Sequence, residues 1–104
     1  MKYLILTASL FASIVSAGTS TGNIQILGVN AFNQSLILAG TITDAPICAT
    51  FNRFALDITS ESGKAMYSLA VTAQAQNKKI RIVGQNNCNI RGDAESVQYL
   101  EIVI

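Results

Sequence analysis

The chain reads as a small, mainly β domain: five short strands rolled into a partly open β-barrel, with one helix between the third strand and the fourth. Three observations lead there. Short apolar or alternating runs recur along the chain, each closed by Gly, Asn, Asp or Pro, which is the punctuation of strands and turns. One segment in the middle, GKAMYSLAVTAQAQN, instead spaces its apolar residues for a helix. A five-stranded sheet that curls leaves one end of its core open, and a single amphipathic helix placed there closes it.

The start of the chain carries a secretory signal. Met1-Lys2 supplies positive charge, Tyr3 to Val15 is apolar and uncharged, and Val15-Ser16-Ala17 places small residues where signal peptidase requires them. The apolar run is shorter than the roughly 20 residues that cross a bilayer, and no second one follows, so no membrane span is expected after cleavage. Cleavage after Ala17 leaves one small domain, 18–104, in a secreted or periplasmic location.

The elements follow in order. GTSTGN (18–23) is small and polar and reads as a flexible lead-in. Ile24 to Val29 is the first strand, with Gly28 marking a bulge or bend. Asn33-Gln34-Ser35 is a glycosylation sequon by pattern but reads better as a turn into the second strand, Leu36 to Ile42. Asp44-Ala45-Pro46 breaks the pattern. In RFALDI, Phe54, Leu56 and Ile58 fall on one side and Arg53 and Asp57 on the other, giving a third strand with one buried face. Thr59 and Ser60 offer capping hydroxyls, and Glu61 adds negative charge where the helix dipole favours it. Met66, Leu69, Ala70 and Ala73 form the apolar stripe, and Asn77 suits the left-handed stop. Ile80 and Ile82 alternate in a fourth strand closed by Gly84, and Val97 to Ile104 is the fifth.

The order strand, strand, strand, helix, strand, strand is that of an OB-fold-like barrel. An open antiparallel sheet with the helix across one face has the same order. The barrel is preferred because five short strands laid flat would expose two edges.

Cys48 and Cys88 are the only cysteines. In a small exported domain the default is one intrachain disulfide, here tying the loops that flank the helix unit. A redox or metal pair would need closer spacing or histidine, and the chain has no histidine.

Charge and composition exclude several functions. The chain has 7 basic and 6 acidic residues, and losing Lys2 with the signal leaves six against six. Nucleic acid, which requires a basic stripe, is therefore not an expected partner. Without histidine there is no Ser-His-Asp or Cys-His arrangement, and no enzyme, metal or cofactor is expected. Asp93 and Glu95 are the one carboxylate pair to weigh for glycosidase chemistry, and solvated loop acids are the commoner case. The binding candidates lie in the polar loop after the fourth strand: Asn86, Asn87, Asn89, Arg91 and Asp93, with Tyr99 on the strand beyond. Arg91-Gly92-Asp93 is read as a turn. The mature chain has Phe32, Phe51, Phe54, Tyr67 and Tyr99 and no Trp, so any aromatic platform for a sugar is shallow.

A disulfide-bearing exported chain of this size, with Ala65-Met66-Tyr67 on the helix and Lys79-Ile80-Arg81-Ile82 after it, resembles the receptor-binding subunits of pentameric bacterial toxins of the subtilase-cytotoxin and pertussis type. The likeness spans roughly residues 48 to 90. The Gly-Lys-Ala-Met-Tyr helix and the Gly92–Ser96 segment are also similar to small uncharacterised secreted bacterial proteins. The toxin resemblance implies an OB-fold and a homo-oligomeric ring of five copies binding cell-surface glycans. No sugar-contacting residue of that family is matched position by position, so it implies no binding residues. The expectation is an exported, non-enzymatic binding module for a cell-surface glycan or protein. The alternative is a structural or protein-interaction domain, an inhibitor or assembly subunit, with no glycan site.

Overall fold

The computed structural model describes residues 17–104. Apart from Ala17, the expected secretory signal lies outside the described residues. The elements are β1 (Thr19–Gly22), β2 (Ile24–Val29), β3 (Gln34–Ala39), β4 (Phe54–Asp57), α1 (Glu61–Ala75), β5 (Lys79–Gly84) and β6 (Glu95–Val103). They build one six-stranded sheet in the order β1-β5-β6-β4-β3-β2. The sheet curls into a half-barrel, so that β3 and β5 touch across its concave side although they are not neighbours in it.

Two sequence expectations are corrected. The strands number six rather than five, and the helix follows the fourth strand rather than the third. Both corrections come from one segment, since the supposed lead-in contains β1. Its residues carry no hydrophobic period, and Ser20 is the one side chain of the strand that is fully buried. The segment is extended because it pairs: Thr19 to Gly22 run antiparallel to Val83 to Ile80 of β5. Thr19 also exchanges two backbone hydrogen bonds of 2.9 Å with Thr43. The irregularity expected at Gly28 lies instead between Ile24 and Ile26, where the β2–β3 register shifts.

β1 and β2 are the two edges of the sheet, yet Asn23 alone separates them in the chain. The corner is tight. A Cβ on Gly22 would lie 3.1 Å from Gly40, and Gly40 itself takes φ +80° against Thr21. The short β4–β6 pairing is parallel, with Phe54 beside Glu95 and Ala55 beside Ser96, whereas the other strand pairs are antiparallel. The sheet is therefore mixed, unlike the open antiparallel alternative. A parallel pair requires a long crossover, and α1 with β5 supplies it.

The helix begins at Ser60, whose hydroxyl accepts the Gly63 N–H at 3.0 Å. Thr59 does not cap; its hydroxyl and N–H bond the Asp57 carboxylate instead. The helix ends in a Schellman arrangement: Asn77 is left-handed at φ 56°, and Lys78 N–H bonds Ala73 O at 2.8 Å. Its buried face is made of small residues, Gly63, Ala70 and Ala73. Met66, Tyr67 and Leu69 flank it, half-buried against the core. That core is Ile37, Phe54, Leu56, Ile80, Ile82, Val97 and Leu100, contributed by β3, β4, β5 and β6. Each large side chain buried there stabilises the fold by about 1.5–3 kcal/mol.

Gly63 lies so close to the end of β4 that a Cβ would strike the Asp57 carbonyl oxygen. Gly63→Ala is expected to lower stability by about 1–3 kcal/mol, although the same change stabilises an unobstructed helix by about 1 kcal/mol. Chemical denaturation reads the sign. The Thr59 hydroxyl and then its N–H hold the exposed Asp57 carboxyl below its ordinary 3.8. A depressed carboxyl contributes stability above its unfolded value and loses it as pH falls through the lower folded value. The difference in denaturation midpoint between the native chain and Asp57→Ala should therefore narrow as pH is lowered from about 4.

Candidate functional site

The site grows from two loops, 40–53 between β3 and β4 and 85–94 between β5 and β6. The Cys48–Cys88 disulfide joins them with a Cα–Cα distance of 6.2 Å. The Phe51 N–H adds a bond to Asp93 O at 2.8 Å. These cross-links tie the two loops to each other. A disulfide in so small a domain fits an oxidising compartment such as the periplasm or the cell exterior.

The six sequence candidates fall into three groups. Asn86 and Asn87 shape the loop. Asn86 is left-handed at φ 62° and gives its N–H to Glu95 Oε2. Asn87 accepts from Asn89 N–H through its side chain and from Ser96 N–H through its carbonyl. Arg91 and Asp93 pair with each other at 2.7 Å, and Asn89 is exposed beside them. Tyr99 stands apart on the outward face of β6, opposite Val83. On that face Arg81 binds Glu101, and this hydrogen bond, ahead of the charges of Glu101 and Tyr99, holds the Arg81 guanidinium above its usual value. The loop candidates and Tyr99 do not form one site.

What the loops do assemble is an arrangement that the sequence reading passed over. Phe51 is half-buried, and its ring centre lies 4.4 Å from the Arg53 guanidinium and 5.2 Å from that of Arg91. Each contact is worth about 0.5–1 kcal/mol at an exposed position. Arg91 has Asp93 as counter-ion, whereas Arg53 has no acidic partner among the described residues. Beside the ring opens a cavity of about 100 Å³, lined by Ile42, Ala49, Phe51, Arg53, Phe54 and Glu95. The signal that marked this patch was Phe51-Asn52-Arg53, an aromatic and a cation placed just before a strand.

Glu95 forms the inner wall of the cavity and is 1% exposed. Its Oε2 accepts N–H bonds from Gly18 at 3.1 Å and Asn86 at 2.8 Å, while Oε1 has no hydrogen-bond partner among the described residues. Gly84 and Gly18 admit this carboxylate because neither carries a Cβ, which in both cases would collide with it. Asp93, half-buried and paired with Arg91, is not held by the same partners. Among the described residues no cluster of three potential metal ligands occurs. The patch presents an aromatic face and, beside it, a guanidinium with no acidic partner among the described residues.

No known protein family, curated protein or solved structure matches the chain.

The disulfide closes a loop spanning a sequence separation of 40. Removing it with paired Cys48→Ala and Cys88→Ala changes should cost about 4 kcal/mol by loop entropy, read by urea denaturation.

Proposed function

We propose that the chain is an exported, non-enzymatic binding module of the OB type, and that its ligand is a cell-surface glycan carrying an acidic group. The OB reading is supported by the bent β1–β2 segment serving both sheet edges, by the parallel β4–β6 closure, and by the helix lying between β4 and β5. Export is supported by the pattern of residues 1–17 and by the disulfide. Among the described residues no helix is long and apolar enough to cross a membrane.

One observation carries the ligand assignment: the Phe51 ring, which lines the cavity together with Arg53, with the guanidinium groups of Arg53 and Arg91 both close to it. An aromatic face takes the apolar side of a sugar, and a guanidinium without a counter-ion takes a carboxylate or sulfate. The toxin-like reading adds a ring of five copies, in which five weak sites would act together on one surface. A second reading, a protein-interaction or assembly subunit without a glycan site, is favoured by the apolar side chains left in solvent. Phe32 at the β2–β3 turn is 79% exposed and Ile47 beside the disulfide is 97% exposed.

A glycan array probed with the mature protein separates the two. Binding confined to acidic glycans, reduced at least about tenfold by Phe51→Ala and by Arg53→Gln, is the expected result. Silence across the array from folded protein would leave the second reading. Light scattering should return a mass near five chains, and a monomer at high concentration would remove the ring.

A further inference from the structure

We propose that the α-amino group released by cleavage between Ala17 and Gly18 is bound by the buried Glu95 carboxylate, so that leader removal completes a charged pair inside the fold. The proposal rests on the export reading above. It starts from an anomaly, a carboxylate 1% exposed with one oxygen that has no partner among the described residues. A buried charge of this kind is costly unless it is paired and fully hydrogen-bonded. Among the described residues, the only other charged one lining its cavity is Arg53, and the two form no salt bridge.

The unpartnered oxygen faces Gly18. A Cβ built there would run into Oε1, while the Gly18 nitrogen lies 3.1 Å from Oε2. In the uncut chain that nitrogen is a neutral amide with one N–H. Cleavage adds water across the Ala17–Gly18 amide: Ala17 leaves as a carboxylate, and the nitrogen becomes an ammonium at neutral pH. It then has a positive charge and three donors, enough to serve both oxygens of Glu95.

The position survives the cut because Gly18 is held from its other side. Gly84 N–H bonds Gly18 O at 2.8 Å, and Thr19 is fixed by Thr43 and by its register with Val83. None of these bonds involves a residue before Gly18. The sequence sets the cleavage at the same bond through Val15-Ser16-Ala17. Glycine suits the first mature position because the carboxylate leaves no room for a side chain.

The test uses the full chain expressed for export, recovered folded, alongside Glu95→Gln, which keeps the shape and removes the charge. N-terminal sequencing is expected to begin at Gly18. An amine-selective acylating reagent at neutral pH should label the native α-amine at least about tenfold more slowly than in urea, because raising an amine pKa by one unit removes about nine-tenths of its free form. Glu95→Gln should recover most of that rate. Equal slowness in the variant would mean burial alone and overturn the pair, as would a native amine that reacts as fast as the unfolded one. Should the variant not fold, an NMR titration of the glycine-labelled native protein decides. A midpoint well above the ordinary value of about 8 supports the pair, and an ordinary one overturns it. Cleavage at another bond overturns the pair and leaves export standing; an intact leader on the recovered protein overturns both.

Discussion

The Glu95 carboxylate is the constraint around which the fold closes. It stands at the first residue of β6, where the backbone pairs in parallel with Phe54. Its side chain reaches back to the lead of β1 and across to the β5–β6 loop, bonding Gly18 and Asn86. The lead of β1, distant in sequence, and the loop just before β6 are thus held by one side chain. The glycines at 18 and 84 exist in that form because the carboxylate occupies the space a Cβ would need. A charge placed there is not a cheap way to hold a sheet together, since a well-packed apolar side chain would avoid the desolvation cost. Its gain is specificity: an acceptor with directional bonds selects one arrangement of β1, β5 and β6.

The helix works by a different principle. Its buried face is glycine and alanine, so it gains closeness rather than volume. The large side chains that fill the core come from the sheet, chiefly Phe54, Leu56, Ile80 and Ile82. The helix covers them as a lid, with Met66, Tyr67 and Leu69 sealing the edges. Its entry is locked by Ser60 and by the contact of Gly63 with the end of β4, and its exit by the left-handed Asn77. The turn into β5 is therefore short and fixed, and β5 enters in a register that buries Ile80 and Ile82 and leaves Lys79 and Arg81 outside.

The Phe51 and Arg53 patch and the buried Glu95 share their supports. The Phe51 and Arg53 patch lies on the β3–β4 loop, which has no strand partner of its own over most of its length. It keeps its place through the disulfide and through the bond from Phe51 N–H to Asp93 O. The same cavity has Arg53 at one wall and Glu95 at another.

The strand expected to bury one face, β4, buries Phe54, Ala55 and Leu56 alike, because it lies inside the sheet between β3 and β6. The residues alone determined the mainly β class, the helix with its cap and stop, the alternation of β5, and the cysteine pair. Each of these is a local matter, governed by side-chain period, by capping chemistry or by the count of a rare residue type. Only the tertiary structure decided that GTSTGN holds a strand, because its ordering comes from hydrogen bonds to β5 and not from its own side chains. Tertiary contact likewise separated Tyr99 from the loop candidates, turned Asn86 and Asn87 into loop-shaping residues, and brought Phe51, Arg53 and Glu95 together. Those residues are distant in sequence or carry no period, and what unites them is where the chain folds back, which local spacing does not encode.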